Sequence, residues 1–172
     1  FPSILKSKTI ITNASGVHSG PVSEFVMGML IYLSKQFRGC EKFKINRSWT
    51  QWELARGTIQ LKGKTVGILG FGKIGKAIAN KAKAFDMKVI ATRRLQKKVE
   101  STRIADELIP TSKLDYLLTK SDYVVISCPL TPLTKGMIGK EKLNKMKETA
   151  FIINIARGGI INELELVDVL SK

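Results

Sequence analysis

The chain has 172 residues, of which 44% are hydrophobic and 25% charged, so its length suits one domain and its composition excludes disorder over most of the length. Two cysteines and one histidine exclude a disulfide framework and a histidine-rich metal centre, and we expect reduced thiols, a cytoplasmic location and no bound metal. The net charge of +15 suggests nucleic acid, but the basic residues are dispersed, so we expect solvated surface and no nucleic-acid partner.

The first part of the chain predicts a strand followed by a helix. Residues 9–12 have strand character, and residues 13–16 have turn chemistry. A helix then begins at Pro21, with Ser19 or Gly20 as its cap, and ends near Phe37. An apolar face at helical spacing is expected on it, formed by Val22, Phe25, Val26, Met29, Leu30 and Leu33. The apolar run within it is shorter than the roughly 18 residues that span a bilayer, so we expect no membrane partner.

Residues 39–57 predict a loop or a short helix with two tryptophans, Trp49 and Trp52. Two interpretations of the tryptophans stay open at this point. They form a partner surface, or they pack onto the domain's own core.

From Gly63 onward, predicted strands alternate with predicted helices. The strands are residues 65–69, 88–92, 123–127 and 150–154. The helices are residues 73–85, a helix capped by Ser112 or Thr111, residues 140–147, and a last helix that is capped by Asn162 and carries Leu164, Val167 and Leu170. Continuous Val and Ile strands separated by helices are typical of a parallel sheet covered on both faces. We therefore predict an α/β fold with a doubly wound parallel sheet, as a single domain over residues 1–172.

A glycine-rich motif, G-x-G-x-x-G, stands between the first of these strands and the helix that follows it. Its residues are Gly70, Phe71, Gly72, Lys73, Ile74 and Gly75. Gly70 allows a tight turn, Gly72 lets the backbone approach a pyrophosphate, and Gly75 allows close helix–strand packing. The N–H groups around Lys73 and Ile74 lie at the positive end of the helix dipole. The motif predicts a dinucleotide-binding turn, the alternative being a simple strand–helix turn.

The end of the next strand predicts which dinucleotide is bound. A site for NAD usually carries Asp or Glu there, whereas this chain has Thr92, Arg93 and Arg94. Two guanidinium groups offer charge-assisted hydrogen bonds to a 2′-phosphate, and no carboxylate repels it. We therefore expect NADP(H) to be preferred, with NAD(H) as the second cofactor. In the alternative interpretation, Arg93 and Arg94 are ordinary surface charges.

Two further segments end strands at the same edge of the predicted sheet. Arg157, followed by two glycines, is suited to a two-pronged grip on a substrate carboxylate, and a surface salt bridge is the alternative. Cys128 is expected near the cofactor. We do not expect it to act as a nucleophile, because no histidine stands near it in the sequence to serve as a base.

Four stretches carry a resemblance to a known family: residues 12–25, 61–75, 129–136 and 153–159. They resemble, in the same order, the nucleotide-binding domain of the D-isomer-specific 2-hydroxyacid dehydrogenases, which include phosphoglycerate dehydrogenase, D-lactate dehydrogenase and glyoxylate/hydroxypyruvate reductase. The resemblance implies a Rossmann-type fold. It also implies an oxidoreductase that transfers a hydride between the nicotinamide and C2 of a small 2-hydroxy or 2-keto acid.

The resemblance also implies roles for individual residues. Arg157 corresponds to the catalytic arginine, which binds the substrate's carboxylate and carbonyl. The nicotinamide half of the cleft is implied to be lined by Cys128, Pro129, Ile155 and Ala156, with Thr134 near it. The family's proton-transferring histidine and its glutamate follow the arginine, and the segment up to Lys172 contains neither in place. His18 precedes the sheet and does not correspond to that histidine.

The resemblance implies three further properties of the protein. The chain is a piece of a longer two-domain protein whose substrate domain it lacks, and by itself it is inactive. It forms a homodimer through the helix from Val22 to Phe37, with Trp49 and Trp52 at the interface. Arg93 and Arg94 resemble members that use NADPH to reduce glyoxylate or hydroxypyruvate. The alternative is a nucleotide-sensing, co-repressor-like binding protein on the same fold.

Overall fold

The computed structural model describes residues 7–49 and 51–171. Its strands are β1 (Thr65–Leu69), β2 (Lys88–Arg93), β3 (Glu100–Thr102), β4 (Ala105–Pro110), β5 (Tyr123–Ile126) and β6 (Phe151–Asn154). They form one six-stranded sheet in the order β3-β4-β2-β1-β5-β6. Within the described residues the neighbouring strands run parallel, except for the antiparallel pair of β3 and β4. The predicted α/β fold with a parallel sheet is confirmed.

The helices are α1 (Ser19–Ser34), α2 (Phe37–Ile45), α3 (Gln51–Gly57), α4 (Lys73–Ala84), α5 (Leu114–Lys120), α6 (Lys140–Leu143) and α7 (Glu163–Leu170). Two 3-10 turns lie at Thr111–Lys113 and Gly158–Ile160. No helix in the described part of the chain is long and apolar enough to cross a membrane.

Side chains alternate along the strands and so point to both faces of the sheet. Helices cover both faces. On one face Val66 and Ile68 of β1 pack with α1 and α4 through Leu30 and Ile78. On the other face Leu69 packs with α5 through residues that include Leu114, Leu117 and Leu118. The two hydrophobic clusters hold the sheet between helical layers, so that loops at the strand ends are left free to form a site.

The beginning of the chain differs from the prediction. Residues 9–12 form no strand, and Ile10 and Ile11 are 88% and 66% exposed. Their β propensity has no neighbouring strand to pair with among the described residues, and propensity alone does not make a strand.

The long helix also has different ends. Neither Ser19 nor Gly20 caps it, since His18 occupies the cap position without a side-chain hydrogen bond. The Ser19 hydroxyl donates instead to the carbonyl of Gly16 over 2.6 Å. The helix ends at Ser34 rather than Phe37, because Gln36 adopts a left-handed conformation with φ 57°.

The apolar face of α1 is partly as predicted. Val26 and Leu30 are buried, but so are Ser23 and Met27, whereas Phe25 is 60% exposed. The helix therefore packs with a face that is rotated from the predicted one. Residues 39–57, predicted as loop or short helix, lie mostly in α2 and α3.

The second half holds further corrections. The hairpin of β3 and β4 was not expected, because the only large apolar side chains of β4 are Leu108 and Ile109. Neither Thr111 nor Ser112 caps α5; both belong to a 3-10 turn, and Lys113 occupies the cap position. Helix α6 ends at Leu143 instead of residue 147.

The predicted cap of the last helix is confirmed, because the Asn162 side chain accepts the Glu165 N–H over 3.4 Å. The face of α7 that carries Leu164, Val167 and Leu170 is exposed, and the side chains packed against the core are Leu166 and Val169.

Candidate cofactor-binding site

The site lies where the order of the strands reverses. From β1 the chain continues to β2 on one side, and later returns to β5 on the other side of β1. Ligands of open α/β sheets bind at the carboxyl ends of the strands at such a point. A cleft of about 600 Å³ lies there, lined by Ile74, Ser127, Cys128, Pro129, Leu130, Ile155, Ala156 and Arg157.

The glycine-rich turn leaves β1 with the space that a pyrophosphate needs. Gly70 has φ +105°, which favours glycine, and a Cβ there would lie 2.8 Å from the Cys128 backbone nitrogen. A Cβ on Gly75 would lie 2.1 Å from the Gly70 carbonyl oxygen, so helix α4 packs closely onto the turn. By contrast, apart from Gly72 itself and its two chain neighbours, no atom of the described residues lies within 4 Å of the Cβ position of Gly72, so this position is open.

The first turn of α4 is suited to an anion. Gly72 occupies its cap position without a side-chain hydrogen bond, and the turn contains no acidic residue. The N–H of Lys76 bonds to the Gly72 carbonyl over 2.9 Å. The N–H groups of Lys73, Ile74 and Gly75 precede this bond and have no partner within the helix. Their partial positive charge, added to that of the helix dipole, fits the phosphates of a dinucleotide.

Two side chains of the motif contact the protein itself. Phe71 is 6% exposed and packs in the core, so it offers a ligand only its backbone. The Lys73 ammonium donates to the Ser15 carbonyl over 2.8 Å, and this bond ties the loop before α1 to the first turn of α4. Lys73 thus brings a positive charge to the edge of the site.

The residues at the end of β2 divide into one buried and two exposed side chains. Thr92 is 2% exposed, and its Oγ1 accepts the Gly70 N–H over 3.3 Å. Arg93 and Arg94 are exposed at the same edge of the sheet. Within the described residues neither arginine forms an ion pair with an acidic side chain.

The segment after β6 carries Arg157 into the cleft. The Asn154 side chain fixes this turn: its Nδ2 donates to the Arg157 carbonyl over 2.9 Å, and its Oδ1 accepts the Ala156 N–H over 3.0 Å. The Arg157 guanidinium is exposed, and its Nη1 donates to the Ala156 carbonyl over 2.9 Å. The remaining N–H groups of the guanidinium suit a carboxylate.

The segment after β5 forms the facing wall. Burial raises the pKa of the Cys128 thiol, so the neutral thiol prevails near pH 7 and does not favour nucleophilic chemistry. Thr134 is not among the residues that line the cleft. Its hydroxyl donates to the Pro129 carbonyl over 2.7 Å and accepts the Thr131 N–H over 2.8 Å, so it shapes the loop from within.

Sequence reasoning missed two residues that line the cleft, Ser127 and Leu130. Their position directly beside Cys128 and Pro129 was the available signal. His18 is exposed at the start of α1. No group of three or more His, Cys, Asp or Glu side chains in residues 7–49 and 51–171 is arranged to hold a metal ion.

Comparison with known proteins gives one family. The model of the D-isomer specific 2-hydroxyacid dehydrogenase NAD binding domain matches residues 27–172. A glyoxylate reductase of Thermococcus onnurineus is 34% identical over 172 residues, covering 97% of this chain and 51% of that protein. A D-3-phosphoglycerate dehydrogenase of Methanocaldococcus jannaschii is 32% identical over 164 residues, covering 95% of this chain and 30% of that protein.

Solved structures show the same fold. A glycerate dehydrogenase related protein from Thermoplasma acidophilum has a TM-score of 0.80 and 30% identity, covering 91% of this chain and 52% of that one. An NAD-dependent formate dehydrogenase from Staphylococcus aureus, solved in complex with NAD, has a TM-score of 0.81 and 26% identity, covering 91% and 45%. The chain spans about half the length of most of these relatives.

Proposed function

The chain belongs to the D-isomer specific 2-hydroxyacid dehydrogenases as their NAD binding domain, and from this premise we propose that it prefers NADP(H) and serves a reductase of small 2-keto acids. The observation that carries the proposal is the cleft at the reversal of strand order. The glycine turn and the N-terminus of α4 lie on one side of this cleft, and Arg157 lies on the other side.

The phosphate end of the dinucleotide is proposed to lie on the glycine turn. The open position at Gly72 admits the pyrophosphate, and the N–H groups of Lys73 and Ile74 bind it. The Lys73 ammonium adds a positive charge at the same place.

The preference for NADP(H) is proposed to come from Arg93 and Arg94. Both are exposed at the end of β2, next to the glycine turn, where an NAD site usually carries an acidic residue. A charge-assisted hydrogen bond from a guanidinium contributes about 1.5–3 kcal/mol, so the pair can distinguish a 2′-phosphate from a hydroxyl.

The chemistry of the bound cofactor is hydride transfer between the nicotinamide C4 and the substrate C2. Arg157 is proposed to bind and orient the substrate carboxylate through its guanidinium. The side chains of Pro129, Leu130 and Ile155 line this half of the cleft and offer the nicotinamide ring an apolar surface. Proton transfer to the new hydroxyl is not assigned to any of these residues, because no histidine follows Arg157 within the chain.

The test uses a protein that contains this chain together with a substrate domain. Loss of absorbance of the reduced nicotinamide is followed with glyoxylate and with hydroxypyruvate, with NADPH and NADH at equal concentrations. We expect oxidation mainly of NADPH. If neither cofactor is oxidised with these acids or with a wider panel of 2-keto acids, although both bind, the reductase proposal fails and a nucleotide-sensing role gains support.

We also propose that the protein acts in the cytoplasm as a homodimer through the segment that contains α1. One face of α1 is buried against α4, whereas Phe25 on the other face is 60% exposed. Trp49 and Trp52 are 86% and 75% exposed, which favours a partner surface over packing on the domain's own core. Sedimentation of the wild type and of a Trp49→Ser/Trp52→Ser variant tests this proposal, with a shift to monomer expected in the variant.

A further inference from the structure

Two side-chain hydroxyl groups, one in β2 and one directly after β5, form hydrogen bonds with both polar backbone groups of Gly70. The Gly70 N–H donates to Thr92 Oγ1 over 3.3 Å, and Ser127 Oγ donates to the Gly70 carbonyl over 2.7 Å. Thr92 pairs with Leu69 on one side of β1, and Ser127 directly follows β5 on the other side. The glycine turn is therefore braced from both neighbouring strands.

The two bonds fix the orientation of two successive peptide planes. The N–H and C=O of a trans peptide point in opposite directions, so the bond from Ser127 to the Gly70 carbonyl also sets the direction of the Phe71 N–H. The preceding peptide is held from both sides, because the Gly70 N–H donates to Thr92 and the Leu69 carbonyl accepts the Ser127 N–H over 2.9 Å.

The orientation of the Gly70 carbonyl matters for an anion at the turn. Its oxygen faces the first turn of α4, since it lies 2.1 Å from the Cβ position of Gly75. Gly70 itself has no side chain that would limit its rotation. Without the Ser127 hydrogen bond, the carbonyl is freer to rotate, and a carbonyl oxygen that turns towards the cleft repels a phosphate.

We propose that Thr92 and Ser127 are positioning residues of the cofactor site. Their hydroxyl groups hold the Gly70 turn so that the N-terminus of α4 is presented to the pyrophosphate. This role differs from direct contact of Thr92 with the cofactor, and it adds Ser127 to the site. The inference rests on the proposed function, because it requires that a dinucleotide binds at the glycine turn.

The test compares hydroxyl-removing with hydroxyl-retaining variants. Thr92→Val and Ser127→Ala remove one hydroxyl each, whereas Thr92→Ser and Ser127→Thr retain it. NADPH affinity is measured by titration of its fluorescence, and affinity for adenosine 2′-monophosphate, which lacks the pyrophosphate, by calorimetry. We expect each removal to weaken NADPH binding about three- to tenfold, the net effect of one hydrogen bond. The retaining variants bind NADPH like the wild type, and adenosine 2′-monophosphate binds equally to all of them.

A matched control separates positioning from general stability. The buried Ser121 hydroxyl donates to the Leu117 carbonyl over 2.7 Å, in the helical layer away from the turn. Ser121→Ala is expected to lower the melting temperature and to leave NADPH affinity unchanged. Melting curves establish which variants fold, and either Thr92→Val or Ser127→Ala alone is sufficient for the comparison.

Three results would overturn the inference. The first is unchanged NADPH affinity in a hydroxyl-removing variant that folds, in a protein whose wild type binds NADPH; the proposed function then stands. The second is an equal loss of affinity for NADPH and adenosine 2′-monophosphate. The third is failure of Thr92→Ser and Ser127→Thr to retain affinity. A wild type that binds neither NADPH nor NADH overturns the proposed function, and the inference with it.

Discussion

The carbonyl oxygen of Gly70 lies 2.1 Å from the position that a Cβ on Gly75 would occupy. Real side chains do not approach a backbone oxygen so closely, so the turn and α4 can pack in this way only if residue 75 is glycine. Gly72, three residues earlier, has no atom within 4 Å of its Cβ position. The fold therefore requires glycine at position 75, whereas we propose that glycine at position 72 leaves access for the cofactor.

Substitution of these two glycines should separate stability from binding. Gly75→Ala forces α4 away from the turn and is expected to cost about 1–3 kcal/mol of unfolding free energy, or more, as overpacking does. Gly72→Ala meets no protein atom, so the melting temperature is retained, but its methyl group stands where the pyrophosphate approaches. We expect NADPH binding to weaken about tenfold or more. Thermal melting and NADPH titration of both variants check this, and tight NADPH binding by Gly72→Ala would contradict the placement of the pyrophosphate.

Removal of the two exposed arginines should change cofactor preference. Arg93→Ala/Arg94→Ala is expected to weaken NADPH binding about tenfold or more, because charge-assisted bonds to the 2′-phosphate are lost. NADH affinity should change little. Titration of each variant with both cofactors measures the preference.

The control for the arginine pair removes the same charge at the opposite edge of the sheet. The control variant is Lys62→Ala/Lys88→Ala. Both lysines are exposed and stand near the amino ends of β1 and β2. If this control loses NADPH affinity as strongly as the arginine variant, the effect is one of net charge, and the assignment of the 2′-phosphate to Arg93 and Arg94 is wrong.

A carboxylate at the amino edge of the sheet should make stability depend on pH. Burial raises the pKa of Asp122. The hydrogen bonds that its carboxylate accepts from the Thr65 N–H and from the Lys147 ammonium together lower the pKa by more than burial raises it. The pKa therefore lies below its ordinary value of 3.8. When folding lowers the pKa of a carboxyl group, its charge stabilises the folded state fully at pH values above the pKa in the unfolded chain. This stabilisation is lost as the pH falls through the lower pKa of the folded state.

Asp122→Asn is therefore expected to destabilise the domain by about 1–3 kcal/mol near neutral pH. The difference from the wild type should shrink as the pH falls below 3.8. Melting temperatures of both proteins across this range measure the difference. Glu148→Gln, which removes an exposed carboxylate, is the control. A difference that stays constant down to the lowest pH would contradict the role of the Asp122 charge.

The 172-residue chain is expected to bind the cofactor without turning over a substrate. Its one histidine, His18, stands before α1, and no histidine follows Arg157 within the chain. The histidine that the resemblance implies as proton donor after Arg157 is therefore not among these residues. The assay mixes the chain with NADPH and glyoxylate or hydroxypyruvate and follows the reduced nicotinamide. Steady oxidation that depends on the acid would show that these residues supply the donor, against expectation.

Sequence reasoning singled out most of the residues that line the cleft, because their sequence patterns are local. The glycines from Gly70 to Gly75 stand between a continuous apolar strand and an amphipathic helix, and each glycine has a distinct geometric role. The positions of Arg157 and Cys128 followed from the rule that parallel strands end at one edge.

The parts that sequence reasoning missed depend on contacts between distant segments. The bonds of Thr92 and Ser127 to Gly70 require β2, β1 and β5 to lie side by side, which no local pattern reveals. The strand β4 has a weak apolar pattern and is stabilised by its pairing with β2. Residues 9–12 show the reverse case, since their strand propensity finds no partner in the described structure.

The most direct measurement is a titration of the wild-type chain with NADPH and with NADH, under identical conditions near physiological salt. We expect saturable binding of both cofactors, with NADPH bound about tenfold more tightly or better. Equal affinities would contradict the role of Arg93 and Arg94. Absence of saturable binding of either cofactor would contradict the proposal that the cleft beside Gly70–Gly75 is a dinucleotide site.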